Sequence, residues 1–497
     1  MHDHCGVASI VDIEGTTDVV PIAVRIAEGL QHRGELGAGI AAVRDQLLRV
    51  HKNNGLVHDV LNPKSIASIS GPAAIVHTRY ATSDRRDPEL AQPFSSQSGT
   101  PDTTFAFGFN GNIANHDSIR NQLKERNISL TSNVDTELIL RLLIEHIRTN
   151  TRQNMAGALR SLESQLDGTF NIAAVSGNGE TFAYRNANGI RPLAYSVIGN
   201  RFVIAASENS AITSVFPTAA TKDIEPGQLL SAGNGAWHIE NIAEDAQIAR
   251  CFFEWIYFAN FLSTLDTVSV RGARMRCGKH LAKADDDIPP DSIVVPVPDS
   301  AIVAAEGYSQ TKNLQQAYAI SKTREGRTFI AGKEDRVKKA MQKYAIDSSA
   351  IAGKNIVLID DSMVRSTTMR VLIERLRKEG KVADIHLRIA SPPILAPCYY
   401  GIDFATTDEL IARAHHPSVL LSDTLDSSTL SNIASDIGVD SLRYLSIGAV
   451  RDILHKYQSE ICMACINGCY PTPFGQELYA RACEKERDRP DVAYYQL

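Results

Sequence analysis

The stretch from Asn355 to Ala390 leaves little choice of fold. Ile356-Val357-Leu358-Ile359 is a continuous apolar run, which suits a strand buried on both faces. Two carboxylates follow, Asp360-Asp361, and then the hydroxyl-bearing loop Ser362-Met363-Val364-Arg365-Ser366-Thr367-Thr368. From Thr367 to Glu379 the apolar residues Met369, Leu372, Ile373 and Leu376 recur at helical spacing, with Gly380 as a stop. Asp384 to Ala390 reads as the next strand. Strand, helix, strand in this order is a βαβ unit, which requires a parallel sheet with helices laid over it. Ser292 to Val297 is a second buried-strand candidate, so the region around it should be a doubly wound α/β domain.

The chain has 497 residues, too many for one core, so two domains are expected. The first 240 residues follow a different pattern. Ala73 to Tyr80 and Thr104 to Asn112 are β-rich, and 171–206 reads as a meander with turns at Ser176-Gly177-Asn178-Gly179 and Gly199-Asn200. One strong helix begins near Asp135. Strands with segregated helices imply a layered α+β domain. Ala243 to Arg250 reads as the approach to a boundary. Beyond about residue 476, the charge-rich run Glu484 to Asp491 suggests a loosely packed tail.

Charge and hydropathy remove whole classes of function. The 51 basic and 57 acidic side chains give a net charge of −6, with no basic stripe, so no nucleic-acid partner is expected. The longest apolar runs fall far below the roughly 18 residues that span a bilayer. Met1-His2-Asp3-His4-Cys5 has neither the charged nor the apolar region of a secretory signal. A cytoplasmic location follows, and there the eight cysteines should be thiols, catalysts or metal ligands rather than a disulfide framework. Cys462-Met463-Ala464-Cys465 has metal-ligand spacing, with Cys251 and Cys398 far away in sequence. Four thiolates suit a [4Fe–4S] cluster or a structural zinc, and a plain reduced pair is the third alternative.

The loop after Ile359 has its own chemistry. Backbone N–H groups at a helix start, with the Thr hydroxyls, can hold a phosphate. The paired carboxylates can accept ribose hydroxyls or hold Mg²⁺. A strand end capped by Asp and Thr is the plainer alternative. It is not a Walker loop: Gly326 to Lys333 has five residues between its glycines, and Glu334 stands where Ser or Thr is required.

The stretch resembles the phosphoribosyl-pyrophosphate (PRPP) motif of type I phosphoribosyltransferases, and most closely that of the glutamine PRPP amidotransferase family. Further segments carry the likeness: Val295-Pro296-Val297-Pro298-Asp299-Ser300, Gly326-Arg327-Thr328-Phe329-Ile330, Arg388-Ile389-Ala390-Ser391-Pro392-Pro393 and Pro397-Cys398-Tyr399-Tyr400-Gly401-Ile402-Asp403. In the first domain Cys5-Gly6-Val7, Leu30-Gln31-His32-Arg33-Gly34, His77-Thr78-Arg79-Tyr80-Ala81-Thr82, Asn110-Gly111-Asn112 and Asp135-Thr136-Glu137 resemble an N-terminal-nucleophile glutaminase.

The resemblance implies a short propeptide, residues 1–4. It implies a glutaminase domain of αββα layering over 5–245, and an α/β type I phosphoribosyltransferase domain over 246–475, with 476–497 as the tail. Cys5 would attack the glutamine amide, its own α-amine serving as base once Met1 to His4 are removed. A tight Asn110-Gly111 turn would bind the oxyanion. Arg79 would pair with the glutamine carboxylate, and Asp135 with its ammonium group. Asp360, Asp361, Ser362, Arg365, Ser366, Thr367, Thr368 and Lys343 would bind the phosphoribosyl donor. Ser300, Asp360 and Asp361 would stand at Mg²⁺, and Cys251, Cys398, Cys462 and Cys465 would hold a [4Fe–4S] cluster. The implied reaction makes 5-phosphoribosylamine for purine synthesis. The resemblance also implies feedback nucleotides and a homo-oligomer. Amination of another phosphoribosyl-type acceptor, or a non-catalytic nucleotide sensor, are the alternatives.

Four departures from the family's pattern stand in the sequence. Ser366 stands where Gly precedes the two Thr, and Met341 where an Arg precedes Lys343. Phe258-Ala259-Asn260-Phe261-Leu262-Ser263 replaces Phe-Ala-Arg-Pro-Asp-Ser, and Glu35 replaces Gln. Lost positive charge and an added Cβ near a polyanion should weaken or retune donor binding.

Overall fold

The strand Gly6–Asp12 is buried along its whole length because both its faces are covered. Ala8 and Ile10 pack with the helix Val20–Gly29, while Val7 and Val11 meet a second sheet. This period-two split is what a strand between two layers requires. The structure, a computed structural model, describes residues 5–80, 87–97, 100–149, 155–243, 246–323, 342–402, 407, 410–420 and 422–487. Gly6–Asp12 is central in a seven-stranded sheet, between Phe202–Ala206 and Ala73–Arg79. The facing sheet has six strands and includes Phe105–Ile113 and Gly168–Ser176, paired antiparallel. Phe105, Phe107 and Phe109 point outward from it to the helices Asp135–Thr149 and Met155–Glu163, and Ala106 points inward to the other sheet. The result is the αββα layering expected.

Residues 171–206 are not one meander. Gly168–Ser176 and Thr181–Arg185 form a hairpin in the six-stranded sheet, and Ala194–Ile198 with Phe202–Ala206 forms a hairpin in the other. The turns sit where expected, but the linker 186–193 carries the chain between layers.

In the second half, four parallel strands lie in the order Ile293–Pro296, Ile356–Asp360, Ile385–Ile389, Ser441–Tyr444. The helix Ser366–Lys378 buries Met369, Leu372, Ile373 and Leu376 against them, each worth about 1.5–3 kcal/mol of transfer free energy. A short parallel pair, Arg250–Cys251 with Ile461–Cys462, joins the start of this half to its end.

Residues 476–487 are not a loose tail. They belong to the helix Pro473–Arg487. The Tyr479 ring packs against Tyr470 at 5.3 Å, Arg413 Nη2 donates to Glu486 Oε2 at 2.8 Å, and the Phe474 N–H donates to Asp167 Oδ2 at 3.0 Å. The described part of the charge run, Glu484 to Glu486, thus belongs to a docked helix. Met1 to His4, Ala81-Thr82, the segment Gly326 to Ile330, Met341 and Asp403 lie outside the described residues. Among the described residues no helix is long and apolar enough to cross a membrane.

Candidate active site

Cys5 immediately precedes the strand Gly6–Asp12. The neighbouring strand brings Thr78 opposite Gly6 and ends at Arg79. The thiol donates to the Tyr80 carbonyl at 3.8 Å, and Arg33 Nε donates to the Cys5 carbonyl at 3.2 Å. Burial pushes the Cys5 thiol up, while the Tyr80 bond and the guanidiniums of Arg79, Arg33 and Arg191 pull it down. Arg79 is buried, its pKa lowered by desolvation. Nη1 makes a long bond to the Asp87 carbonyl, 3.5 Å, and the guanidinium charge is felt at the Cys5 thiol.

The facing sheet supplies Asn110. His77, opposite Val7, bonds through Nε2 to the Phe109 carbonyl at 3.1 Å, which sets Asn110 beside the same end of the sandwich. Burial holds His77 neutral, its pKa depressed to about 3. Asn110 Nδ2 is buried with no hydrogen-bond partner among the described residues. A buried orphan donor is costly and is retained where something binds to it. The expected Asn110-Gly111 turn is absent. Both residues lie inside the strand Phe105–Ile113, opposite Asn171 and Phe170. Glycine is needed there for close approach instead: a Cβ on Gly111 would stand 1.8 Å from the Thr169 carbonyl oxygen. Asp135 starts its helix and accepts the Ile113 N–H at 2.9 Å, with burial raising its pKa. It joins this group through the strand end rather than by touching Cys5.

The second site follows the strand Ile356–Asp360. Ser300 Oγ donates to Asp361 Oδ2, Ser362 Oγ donates to Asp361 Oδ1 at 2.7 Å, and the Asp361 N–H donates to Asp360 Oδ1 at 2.9 Å. Burial and mutual repulsion raise Asp360 well above the carboxylate range, and burial raises Asp361. Lys343 and Lys322 oppose this at Asp360, and Arg274 and Lys343 at Asp361. Two buried, adjacent carboxylates with a hydroxyl form the oxygen set that a hard divalent cation takes. Arg365 occupies the N-cap position of the helix that opens with Ser366, Thr367 and Thr368, with no side-chain capping bond. The Ser366 hydroxyl is already engaged, accepting from Arg370 Nε at 3.0 Å.

Cys251, Cys398, Cys462 and Cys465 line one narrow cavity together with Ile190, Arg191, Tyr400 and Tyr470. Cys251 and Cys462 are register partners, and the Tyr400 N–H donates to Cys398 Sγ at 3.4 Å. Burial raises the thiols of Cys251, Cys462 and Cys465. Four thiols gathered at one cavity are a ligand set for a [4Fe–4S] cluster or a structural zinc. Arg191 Nε in the cavity wall is buried without a partner among the described residues, and an anionic thiolate cluster would satisfy it. Cys277 is buried in the helix Val270–Lys283, and Cys469 is exposed.

Sequence reasoning gave no role to a buried ion network between the two halves. Arg33 donates to Glu208 Oε1 (2.6 Å) and to both oxygens of Glu254 (3.1 and 3.0 Å), and Arg191 donates to Glu254 Oε1 (3.0 Å). Glu208 Oε2 accepts from the Asn260 N–H at 2.8 Å and from Ser263 Oγ at 2.7 Å. Burial raises Glu208, but His32 and Arg33 outweigh it and hold the carboxyl far below its ordinary range. Arg274 supports the same segment, donating to the carbonyls of Trp255, Tyr257 and Ala259. The one sequence signal was Arg33 within Leu30-Gln31-His32-Arg33-Gly34.

Residues 77–214 match a glutamine amidotransferase domain family. An amidophosphoribosyltransferase of Methanothermobacter thermautotrophicus is 34% identical over 487 residues, 96% of each chain. The Bacillus subtilis amidophosphoribosyltransferase is 32% identical, again over 96% of each. Among solved structures, the B. subtilis glutamine PRPP amidotransferase complexed with ADP and GMP superposes with a TM-score of 0.82 at 31% identity, covering 95% of this chain and 98% of that one. A structure of the allosteric regulatory enzyme of purine biosynthesis gives 0.83, also at 31% identity, covering 95% and 97%. With its nucleophile candidate and an orphan amide at one end of the sandwich, its acidic loop ahead of a helix start, and these full-length likenesses, the chain belongs to the amidophosphoribosyltransferase family.

Proposed function

We propose that the protein converts glutamine, PRPP and water to 5-phosphoribosylamine, glutamate and pyrophosphate, a committed step of purine synthesis in the cytoplasm. The carrying observation is the Asn110 amide, buried and without a partner among the described residues, at the same end of the sandwich as Cys5. Cys5 Sγ attacks the glutamine amide carbon, and the freed α-amine of Cys5 takes the thiol proton. Asn110 Nδ2 and the Gly111 backbone stabilise the oxyanion. Arg79 orients the carboxylate of the substrate, and Asp135 its ammonium group. The C–N bond breaks to give ammonia and a thioester, which water hydrolyses to glutamate. Ammonia then attacks C1 of PRPP as the C1–oxygen bond breaks and pyrophosphate leaves. Lys343, Arg365 and the Ser366-Thr367-Thr368 helix start hold the phosphates.

Ser300, Asp360 and Asp361 would hold Mg²⁺, which when bound neutralises the pyrophosphate. Cys251, Cys398, Cys462 and Cys465 would hold a [4Fe–4S] cluster in a structural role. Purine nucleotides are the regulators this reading implies, supported by ADP and GMP in the B. subtilis structure.

The test is glutamine- and PRPP-dependent pyrophosphate release, run beside Cys5→Ala. That variant should lose glutamine use and keep reaction with free ammonia. No release from protein whose N-terminus is trimmed to Cys5 defeats the reading. The Ser366–Arg370 bond favours one second reading, a different phosphoribosyl-type acceptor, which release with that acceptor but not PRPP would establish. Iron and sulfide near four per chain support the cluster, and zinc without iron refutes it.

A further inference from the structure

Two struts run from the thiol cavity, one to the strand that carries Asn110 and Gly111 and one to its ladder neighbour Gly168–Ser176. In the first, Asn112 Nδ2 donates to the Tyr399 carbonyl at 2.8 Å. Tyr399 lies between Cys398 and Tyr400, both of which line the cavity. In the second, Asn171, the register partner of Asn110, donates through Nδ2 to the carbonyls of Arg191 (3.3 Å) and Pro192 (2.9 Å). Arg191 also lines the cavity and donates from Nη2 to the Tyr400 carbonyl at 2.8 Å. Gly401 closes the space between the struts. A Cβ there would lie 3.3 Å from Arg191 Nη2, 3.4 Å from the Gly111 carbonyl oxygen and 3.5 Å from Asn112 Cβ. The strand is therefore packed against the cysteine-bearing turn at Gly111 and Asn112.

We propose that the turn 397–401 is a brace for the oxyanion strand, with Asn112 as the positioning residue that ties the two. The inference rests on the reading of Asn110 and Gly111 as the oxyanion pocket. An oxyanion donor stabilises only where its N–H meets the developing charge, and a displacement near 1 Å is enough to cost about a hundredfold in rate. Among the described residues, the strand past Phe107 is laddered on one side only, which leaves its end room to shift. The Asn112 amide removes that freedom without touching substrate. The coupling is reciprocal, so loosening the tie should also expose the turn.

The experiment compares wild type, N112A, N112D and N110A as purified holoenzyme. N112D keeps the shape but replaces the donor with an acceptor facing the Tyr399 carbonyl. Four quantities are read: glutaminase kcat and KM, ammonia-dependent pyrophosphate release, iodoacetamide alkylation of Cys5, and mass-resolved alkylation of Cys398. Both Asn112 variants should lose about tenfold in glutaminase kcat, with KM for glutamine, ammonia-dependent release and Cys5 alkylation within about twofold of wild type. Cys398 should be alkylated faster. Wild-type kcat in N112A and N112D with loss in N110A overturns the brace and leaves the oxyanion reading standing. Wild-type kcat in N110A overturns that reading itself. Parallel loss of ammonia-dependent release and Cys5 reactivity in the Asn112 variants means general disruption, and also overturns the brace.

Discussion

Replacing Glu254 by Gln tests whether the buried network holds the two halves together. Arg33, Arg191, Glu208 and Glu254 have side-chain exposures of 1% or less, and their formal charges cancel. E254Q leaves two guanidiniums against one carboxylate in a site buried from solvent. Breaking a buried pair by removing one partner costs about 3–5 kcal/mol, because the other charge stays buried. For a domain of this size that is a fall of roughly 6–20 °C in midpoint. The assay is differential scanning calorimetry at a fixed scan rate, run on wild type, E254Q, R191M and the double variant E254Q/R191M. The double variant removes one charge of each sign and should melt closer to wild type than E254Q does. Recovery should be partial, since the bond from Arg191 to the Tyr400 carbonyl, about 1 kcal/mol, is lost as well. A midpoint for E254Q within about 1 °C of wild type, or losses in the double variant that simply add, would refute the reasoning.

Gly111→Ala places a methyl 1.8 Å from the Thr169 carbonyl oxygen, so the strand must shift. Glutamine-dependent turnover should fall by about a hundredfold or more while ammonia-dependent release persists, and equal loss of both would show damage beyond the pocket. His77 is held neutral in the fold with a pKa near 3, against about 6.5 unfolded. Its contribution to stability is complete above about pH 6.5 and declines by about 1.4 kcal/mol per pH unit as pH falls toward 3, because only the unfolded chain takes up the proton. Midpoints measured from pH 7.5 to 5 should fall less steeply in H77Q, and an unchanged slope would count against it. Ser366→Gly removes the acceptor for Arg370 Nε and should lower KM for PRPP about twofold or more by opening the helix start. An unchanged KM in initial-rate assays would mean that the Cβ is accommodated.

The unit from Ile356 to Ile389 was legible because apolar run, helical period and glycine stop all agree, and the strand and helix bounds differ by a residue or so from expectation. The hairpins around 171–206 were legible one at a time, but not their division between two sheets. Both read as alternating strands, and only packing decides the layer. Asn110-Gly111 reads as a turn from its dipeptide, yet nine residues of ladder with the neighbouring strand override that preference. The cysteine positions followed from the family likeness, whereas their gathering around one cavity required the fold. The ion network had no sequence signature, since its members pair across separations of 175 and 221 residues. Each is an ordinary charged residue until burial makes it expensive.

The parallel pair that sets Cys251 beside Cys462 has a consequence in time. Arg250 pairs with Glu460 at its edge, 210 positions further along the chain. At ordinary synthesis rates of about 5–20 residues per second, roughly 10–40 s separate the two partners' emergence. Throughout that interval the first half has everything its own sheets require, while Cys251 waits with one wall of its cavity unmade. The pocket is therefore among the last features to close. A chain arrested before residue 461 would present a finished sandwich and an exposed thiol, a form that quality control could tell from the complete protein.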